Sequence, residues 1–212
     1  MLALLHTSPV HVPVFDALRD RAHPGLELRH FVDEDLLVRA RERGPDAVAA
    51  DVRAVLGRAV AGGARAVLCT CSTLGAVAES AAPGVPVLRV DRPMAAAAVA
   101  AGPRVVVLAA LESTLGPTAA LVTEEADRAG RPVAVRTLLV DGAWDRFEAG
   151  DSEAYVRLVA AGADAVTGAD ADAIVLAQAS MAPAQHLTTT PVPVFSSPGP
   201  GLAAGAAAAR RG

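Results

Sequence analysis

The sequence predicts an α/β protein built as two similar lobes, each with a parallel sheet flanked by helices. Short apolar runs alternate with longer stretches of helical period rich in Ala, Leu, Val and Arg, the pattern of β-α units around a parallel sheet. Two strand-plus-turn segments also recur in the same order at a shift of about 107 positions. This duplication predicts lobes related by a pseudo-two-fold axis, with the active site between them.

The apolar runs are interpreted as eight strands. They are predicted at residues 2–5, 26–31, 66–69, 85–90, 105–109, 133–139, 174–177 and 192–195. The stretches of helical period are expected to form helices at residues 13–22, 46–61, after 74, and at 94–101, 116–129, 152–163 and 202–210. We expect lobe 1 to comprise residues 1–92 and 196–212, and lobe 2 to comprise residues 93–195.

The first repeated segment contains both cysteines of the chain. "AVLCTCSTL" at 66–74 matches "AIVLAQASM" at 173–181, which places Cys71 opposite Gln178. Each segment is an apolar strand followed by a polar turn. The corresponding turn of the second lobe is therefore expected to carry a carboxamide where the first carries a thiol.

The second repeated segment lies nearer the start of each lobe. "LALLHTSP" at 2–9 matches "LAALESTL" at 108–115, with His6 opposite Glu112. Ligands of parallel sheets bind beyond the carboxyl ends of the strands, so the four turns are expected to surround one cleft. The candidate residues of these turns are His6, Thr7, Ser8, Cys71, Ser72, Thr73, Glu112, Ser113, Thr114, Gln178 and Ser180.

The composition is that of an ordered globular protein and excludes several functions. Of the 212 residues, 52% are hydrophobic and 20% charged, and the mean hydropathy is +0.37. A formal net charge of -4 with scattered arginines provides no basic patch for nucleic acid. The sequence has no Lys, so it can form neither a Schiff base with pyridoxal phosphate nor a P-loop. "MLALLHTSPVHVPVF" has neither a basic leader nor a membrane-length apolar run, so we expect a cytoplasmic protein without a membrane partner.

The two cysteines predict different roles. A C-x-C spacing without a second ligand cluster argues against a metal site, and a disulfide across it would be strained. Cys69 lies inside an apolar run and is expected to pack as a small hydrophobe, whereas Cys71 lies in the turn. The turn alone allows two interpretations of Cys71. It is either a reactive thiol or a half-buried residue in a turn that caps the following helix. A redox protein with a reversible Cys69–Cys71 disulfide is a further alternative.

Several motifs together resemble the aspartate/glutamate racemase superfamily, which includes hydantoin racemases, maleate cis-trans isomerases and arylmalonate decarboxylases. The motifs are "CST" at 71–73, "LESTLGPT" at 111–118, "QASM" at 178–181, "PVLRVDRPM" at 86–94 and "PVFSSPG" at 193–199. The resemblance implies catalysis without a cofactor, by two cysteines that move a proton at the carbon next to a carboxylate. In this sequence Cys71 matches the first cysteine and Gln178 occupies the place of the second.

The resemblance therefore implies an isomerase or racemase that acts through a single thiol, Cys71, on a small carboxylate. The residues of the turns, and not the resemblance, offer Glu112 or His6 as the second acid or base, and the other candidate turn residues would bind the carboxylate. A decarboxylase of the arylmalonate type and a non-catalytic carboxylate-binding protein remain alternatives. We expect no metal or other cofactor, and a homodimer is the expected assembly.

Overall fold

The computed structural model describes residues 1–211 of the chain. The chain forms two compact units. Unit 1 consists of Met1–Asp91 together with the C-terminal helix, and unit 2 consists of Arg92–Ser197.

Unit 1 contains a parallel sheet with the order β2-β1-β3-β4. Its strands are β1 (Leu2–His6), β2 (Leu28–Val32), β3 (Ala66–Cys69) and β4 (Val87–Arg89). Leu5 of β1 pairs with Phe31 on one side and Cys69 on the other. The carboxyl ends of β1 and β3, where two of the predicted turns begin, are therefore neighbours.

Four helices connect these strands. They are α1 (His11–Ala22), α2 (Glu34–Arg43), α3 (Ala49–Ala61) and α4 (Gly75–Ser80). A 3-10 helix at Pro45–Val48 precedes α3, so the helix predicted at 46–61 is wrong in its first turn. The sequence analysis also missed α2, whose end signals are present: the Asp33 carboxylate accepts a hydrogen bond from the Leu36 N–H at 3.3 Å, and Gly44 follows its last residue.

Unit 2 repeats the strand order of unit 1, as β6-β5-β7-β8, and its sheet is also parallel. The strands are β5 (Arg104–Ala109), β6 (Ala134–Leu139), β7 (Ala173–Leu176) and β8 (Val194–Phe195). All eight predicted strands are present, several of them shorter than predicted. Two parallel four-stranded sheets flanked by helices confirm the predicted fold class.

The helices of unit 2 are α5 (Arg92–Ala101), α6 (Leu115–Ala129), α7 (Ala143–Glu148) and α8 (Ser152–Asp164). The 3-10 helices Glu112–Thr114 and Ala179–His186 follow β5 and β7. The last helix, α9 (Pro198–Arg211), belongs to unit 1 and packs against β1, β3 and β4. None of the helices in residues 1–211 is long and apolar enough to span a membrane.

Both sheets are buried on both faces because alternate strand residues point to opposite sides. In unit 1, Leu5 and Cys69 face α2, α3 and α4, whereas Leu4 and Leu68 face α1 and α9. In unit 2, one face packs against α7 and α8 and the other against α5 and α6. This burial leaves the strand ends as the places where polar side chains gather.

Candidate functional site

The thiol turn, residues 70–74, connects β3 to α4. Cys71 in this turn is 9% exposed, and Cys69 at the end of β3 is fully buried among apolar residues. Both are free thiols, and Cys69 Sγ donates to the Cys71 carbonyl oxygen at 3.6 Å. Burial raises the pKa of Cys69 and keeps it neutral. Cys69 therefore has the packing role expected of it, and Cys71 is the thiol that the turn presents.

The hydroxyls beside Cys71 are almost fully buried. Ser72 and Thr73 are 7% and 8% exposed. Thr73 Oγ1 has no hydrogen-bond partner among residues 1–211. A buried hydroxyl without a partner costs about 1–3 kcal/mol, so a hydrogen-bond partner for this atom would stabilise the turn.

A buried ion pair supports the thiol turn from β4. Arg89 donates through Nε and Nη2 to both carboxylate oxygens of Asp91, each at 2.9 Å, and both side chains are buried. Arg89 Nη2 also lies 3.5 Å from the Ser72 carbonyl oxygen as a donor. A Cβ on Gly75 would lie 2.5 Å from Arg89 Nε, so the backbone after the turn lies directly on the guanidinium. The sequence analysis missed this pair, although a charged residue inside the apolar run "PVLRVD" was a usable signal.

The turn after β1 begins with a buried histidine. His6 Nδ1 lies 2.8 Å from Thr70 Oγ1, and His6 Nε2 lies 2.8 Å from His30 Nδ1. His30 Nε2 is in turn 3.4 Å from Asp16 Oδ1. Burial, followed by the neighbouring His30 and His11, lowers the pKa of His6 to about 3, so its ring is neutral at neutral pH.

Both ring nitrogens of His6 are thus engaged inside unit 1. Thr7 next to it is buried and Ser8 is half-buried. Because β1 and β3 are neighbours, the structure brings residues 6–8 and 71–73 to one edge of the sheet of unit 1.

The turn after β5 forms the 3-10 helix Glu112–Thr114. The Thr114 hydroxyl donates to the Leu111 carbonyl oxygen at 2.6 Å, whereas Glu112 and Ser113 are exposed. The catalytic role of Glu112 stays a prediction.

The turn after β7 carries Gln178 and Ser180. Gln178 Oε1 accepts a hydrogen bond from the Ala110 N–H at 2.7 Å, which fixes the orientation of the amide because only the oxygen can accept. The Ser180 and Tyr155 hydroxyls are 2.8 Å apart, and burial raises the pKa of Tyr155 to about 12. Since β5 and β7 are neighbours, residues 112–114 and 178–180 share one edge of the sheet of unit 2.

Thr118 is a further candidate that the sequence analysis did not single out. It lies in the first turn of α6, is fully buried, and its Oγ1 has no partner within the described part of the chain. Its place at the end of the quoted "LESTLGPT" motif was the available signal. No group of three or more His, Cys, Asp or Glu side chains in residues 1–211 is arranged to hold a metal ion.

Two units with one strand order, each with hydroxyl-bearing turns at the carboxyl ends of its two central strands, define a duplicated parallel α/β protein. The chain belongs to the Asp/Glu/Hydantoin racemase family, whose model matches residues 11–205. The family resemblance seen in the sequence is therefore confirmed. No curated protein matches the chain in sequence.

Several solved structures are similar to this chain. Aspartate racemase from Picrophilus torridus is 15% identical with a TM-score of 0.72, covering 99% of this chain and 94% of that one. Allantoin racemase from Klebsiella pneumoniae is 18% identical with a TM-score of 0.68, covering 97% and 86%. An arylmalonate decarboxylase is 20% identical with a TM-score of 0.60, covering 99% and 92%. At these identities the similarity shows the fold.

Proposed function

We propose that this chain is a cofactor-independent isomerase or racemase-like enzyme that acts at the carbon next to a carboxylate through the Cys71 thiol. The observation that carries the proposal is the thiol turn. Cys71 and the unpartnered Thr73 hydroxyl lie two positions apart in this turn, so one turn carries a thiol and a buried donor for a carboxylate oxygen.

In the proposed reaction, a proton passes between the substrate carbon and Cys71 Sγ. When the thiolate removes the proton, the electron pair of the C–H bond moves into the carboxylate and forms an enediolate. The new negative charge must be met by fixed donors. The Thr73 and Ser72 hydroxyls and the backbone N–H groups of the turn are the donors that we propose for it. Inversion then requires the proposed second acid to deliver a proton to the opposite face of the carbon, because return from Sγ to the same face regenerates the substrate. Sγ passes its proton to solvent, and the second acid is re-protonated from solvent.

The proposal gives Gln178 no proton-transfer role. A carboxamide neither gains nor loses a proton near neutral pH, and its oxygen already accepts from Ala110 N–H. The NH2 group of the Gln178 amide is the part of the side chain that we propose to donate a hydrogen bond to the anion. Glu112 stays the proposed second acid or base, and Thr7, Ser8, Ser113, Thr114 and Ser180 stay proposed binding residues. His6 is not kept among them, because Thr70 and His30 engage both of its ring nitrogens.

The test is deuterium incorporation from heavy water across amino acids, hydantoins, maleate and arylmalonates. We expect the wild type and Cys69→Ala to exchange or convert one of these classes, and Cys71→Ser to lose that activity. Cys69→Ala is the matched control because Cys69 is a buried packing residue two positions away. Equal activity in wild type and Cys71→Ser would overturn the proposal.

The product distinguishes the alternatives that remain. Release of carbon dioxide from an arylmalonate, with deuterium in the product, would identify a decarboxylase. Binding of dicarboxylates without exchange or product from any class would favour a carboxylate-binding protein. A homodimer and a cytoplasmic location remain part of the proposal.

A further inference from the structure

Three side chains of unit 1 form a hydrogen-bonded line that ends at the first residue of the thiol turn. This histidine line consists of His30, His6 and Thr70. Its contacts are 2.8 Å from His30 Nδ1 to His6 Nε2, and 2.8 Å from His6 Nδ1 to Thr70 Oγ1. Thr70 immediately precedes Cys71.

The donor and acceptor of each inner contact follow from counting protons. The Thr70 hydroxyl has one proton, which it donates to the Leu5 carbonyl oxygen at 3.0 Å. Thr70 Oγ1 must therefore accept from His6, which places the single N–H of the neutral ring on Nδ1. His6 Nε2 is then an acceptor, and His30 Nδ1 donates to it. All three protons point towards the Leu5 carbonyl oxygen.

This direction separates two functions that the line could have. A relay that re-protonates the thiol would have to end on a group that can pass a proton on, and a backbone carbonyl oxygen cannot. The line instead ends where β1 and β3 meet, because the Leu5 carbonyl oxygen also accepts from the Thr70 N–H at 3.0 Å. It therefore fixes both the backbone and the side chain at the start of the thiol turn.

We propose that His30 and His6 are positioning residues that hold the thiol turn in place through Thr70. The inference rests on the proposed role of Cys71 as the reacting thiol. His30 on β2 lies far from the turn in sequence and acts on it only through His6 and Thr70. His6 is then a structural partner of the thiol turn and not a substrate contact.

The first test concerns the wild-type protein alone. We expect nitrogen-15 NMR at neutral pH to find the His6 proton on Nδ1. A proton on Nε2 would reverse the direction of the line and overturn the proposal. This measurement needs no variant and therefore does not depend on whether a variant folds.

The second test measures the rate at which iodoacetamide alkylates Cys71 as a function of pH. Loss of the Thr70 contact should loosen the nearly buried turn and raise the rate about fivefold, the effect of one hydrogen bond. We expect this in Thr70→Val, His6→Gln and His30→Ala. The conservative variant Thr70→Ser keeps a hydroxyl at the required position and should retain the wild-type profile.

The controls distinguish the loss of the histidine line from a general loosening of the fold. His23→Ala removes another partly buried histidine of unit 1 and should leave the rate unchanged. Combining Thr70→Val with His30→Ala should add nothing to Thr70→Val alone, because both act through one contact. Additive effects, or wild-type rates in Thr70→Val and His30→Ala, would overturn the proposal. Alkylation requires no turnover, so failure of the proposed reaction would show separately, in the deuterium experiment.

Discussion

Gln178 shows how one side chain sets the chemistry of a strand-end turn. Its Oε1 satisfies the buried Ala110 N–H, which would otherwise lack a partner at the end of β5. A thiol is a weak acceptor, so a cysteine at this position would weaken that contact while it supplied an acid–base group. The sequence predicted the position of Gln178 correctly as a strand-end turn, but its partner could be identified only from the structure.

We therefore expect Gln178→Cys to gain activity and lose stability. Deuterium exchange with racemisation should appear or increase, because a second thiol becomes available. Weakening the bond to Ala110 should lower the free energy of unfolding by about 1–3 kcal/mol. The matched control, Gln178→Ala, should lose a similar free energy of unfolding without any gain in deuterium exchange or racemisation. Exchange at the wild-type rate in Gln178→Cys would show that a thiol at this position does not act on the substrate.

The unpartnered hydroxyl of Thr73 makes a second residue-scale prediction. Thr73→Val removes a buried polar atom without a partner, so the free energy of unfolding should stay unchanged or rise by about 1 kcal/mol. Stabilisation by added dicarboxylates should be lost. Thr114→Val is the contrasting control, because the Thr114 hydroxyl has a partner and its loss should destabilise. Thermal unfolding with and without dicarboxylate measures both effects, and full ligand stabilisation in Thr73→Val would contradict a binding role.

At the scale of elements, the contact between β4 and the start of α4 depends on close approach of backbone to side chain. Arg89, held by Asp91, occupies the space where a side chain at residue 75 would lie. The two hydrogen bonds from the guanidinium to the Asp91 carboxylate offset the cost of removing both charges from water. The strand and the turn were predictable from the apolar run and the polar residues after it. The ion pair was not, because it depends on how a strand end packs against a loop distant in sequence.

We expect Gly75→Ala to destabilise the protein by about 1–3 kcal/mol, because the added Cβ must displace the Arg89 guanidinium. Gly57→Ala in α3 is the matched control. A Cβ there meets no other atom within 4 Å, so the substitution should stabilise by about 0.5–1 kcal/mol. Urea unfolding of both variants gives the comparison, and equal stability changes would show that Gly75 is not constrained by Arg89.

At the scale of the whole molecule, the internal repeat was the most informative feature of the sequence. It predicted two sheets of one topology, and both have the same strand order. The apolar strands also predicted where the polar turns lie, because each of these turns follows the carboxyl end of a strand. What could not be predicted were contacts across 24 to 68 positions, such as those of His6 with His30 and of Gln178 with Ala110. Helices α2 and α7 were missed because the predictions relied on longer apolar periodicity.

Buried neutral His6 should make global stability depend on pH. Its pKa is about 3 in the folded protein and about 6.5 when unfolded, so the unfolded chain binds a proton more readily in this range. The contribution of His6 to the free energy of unfolding is fully present above about pH 6.5 and decreases as the pH falls towards 3. By pH 5 the loss should reach about 2 kcal/mol. Urea unfolding at pH 7, 6 and 5 should show that the free energy of unfolding decreases less with falling pH in His6→Asn than in the wild type. Equal decreases in the two proteins would contradict a buried neutral His6.

The return of α9 to unit 1 has a consequence for synthesis on the ribosome. Leu2, Leu4 and Leu68 face a helix that is translated only after all of unit 2. Unit 2 is continuous in sequence and can complete its core as it emerges, whereas the earlier-made strands of unit 1 must wait with one face covered only in part, by α1. The nascent chain is therefore expected to be most vulnerable to aggregation and to chaperone capture during this interval, which ends when α9 leaves the exit tunnel.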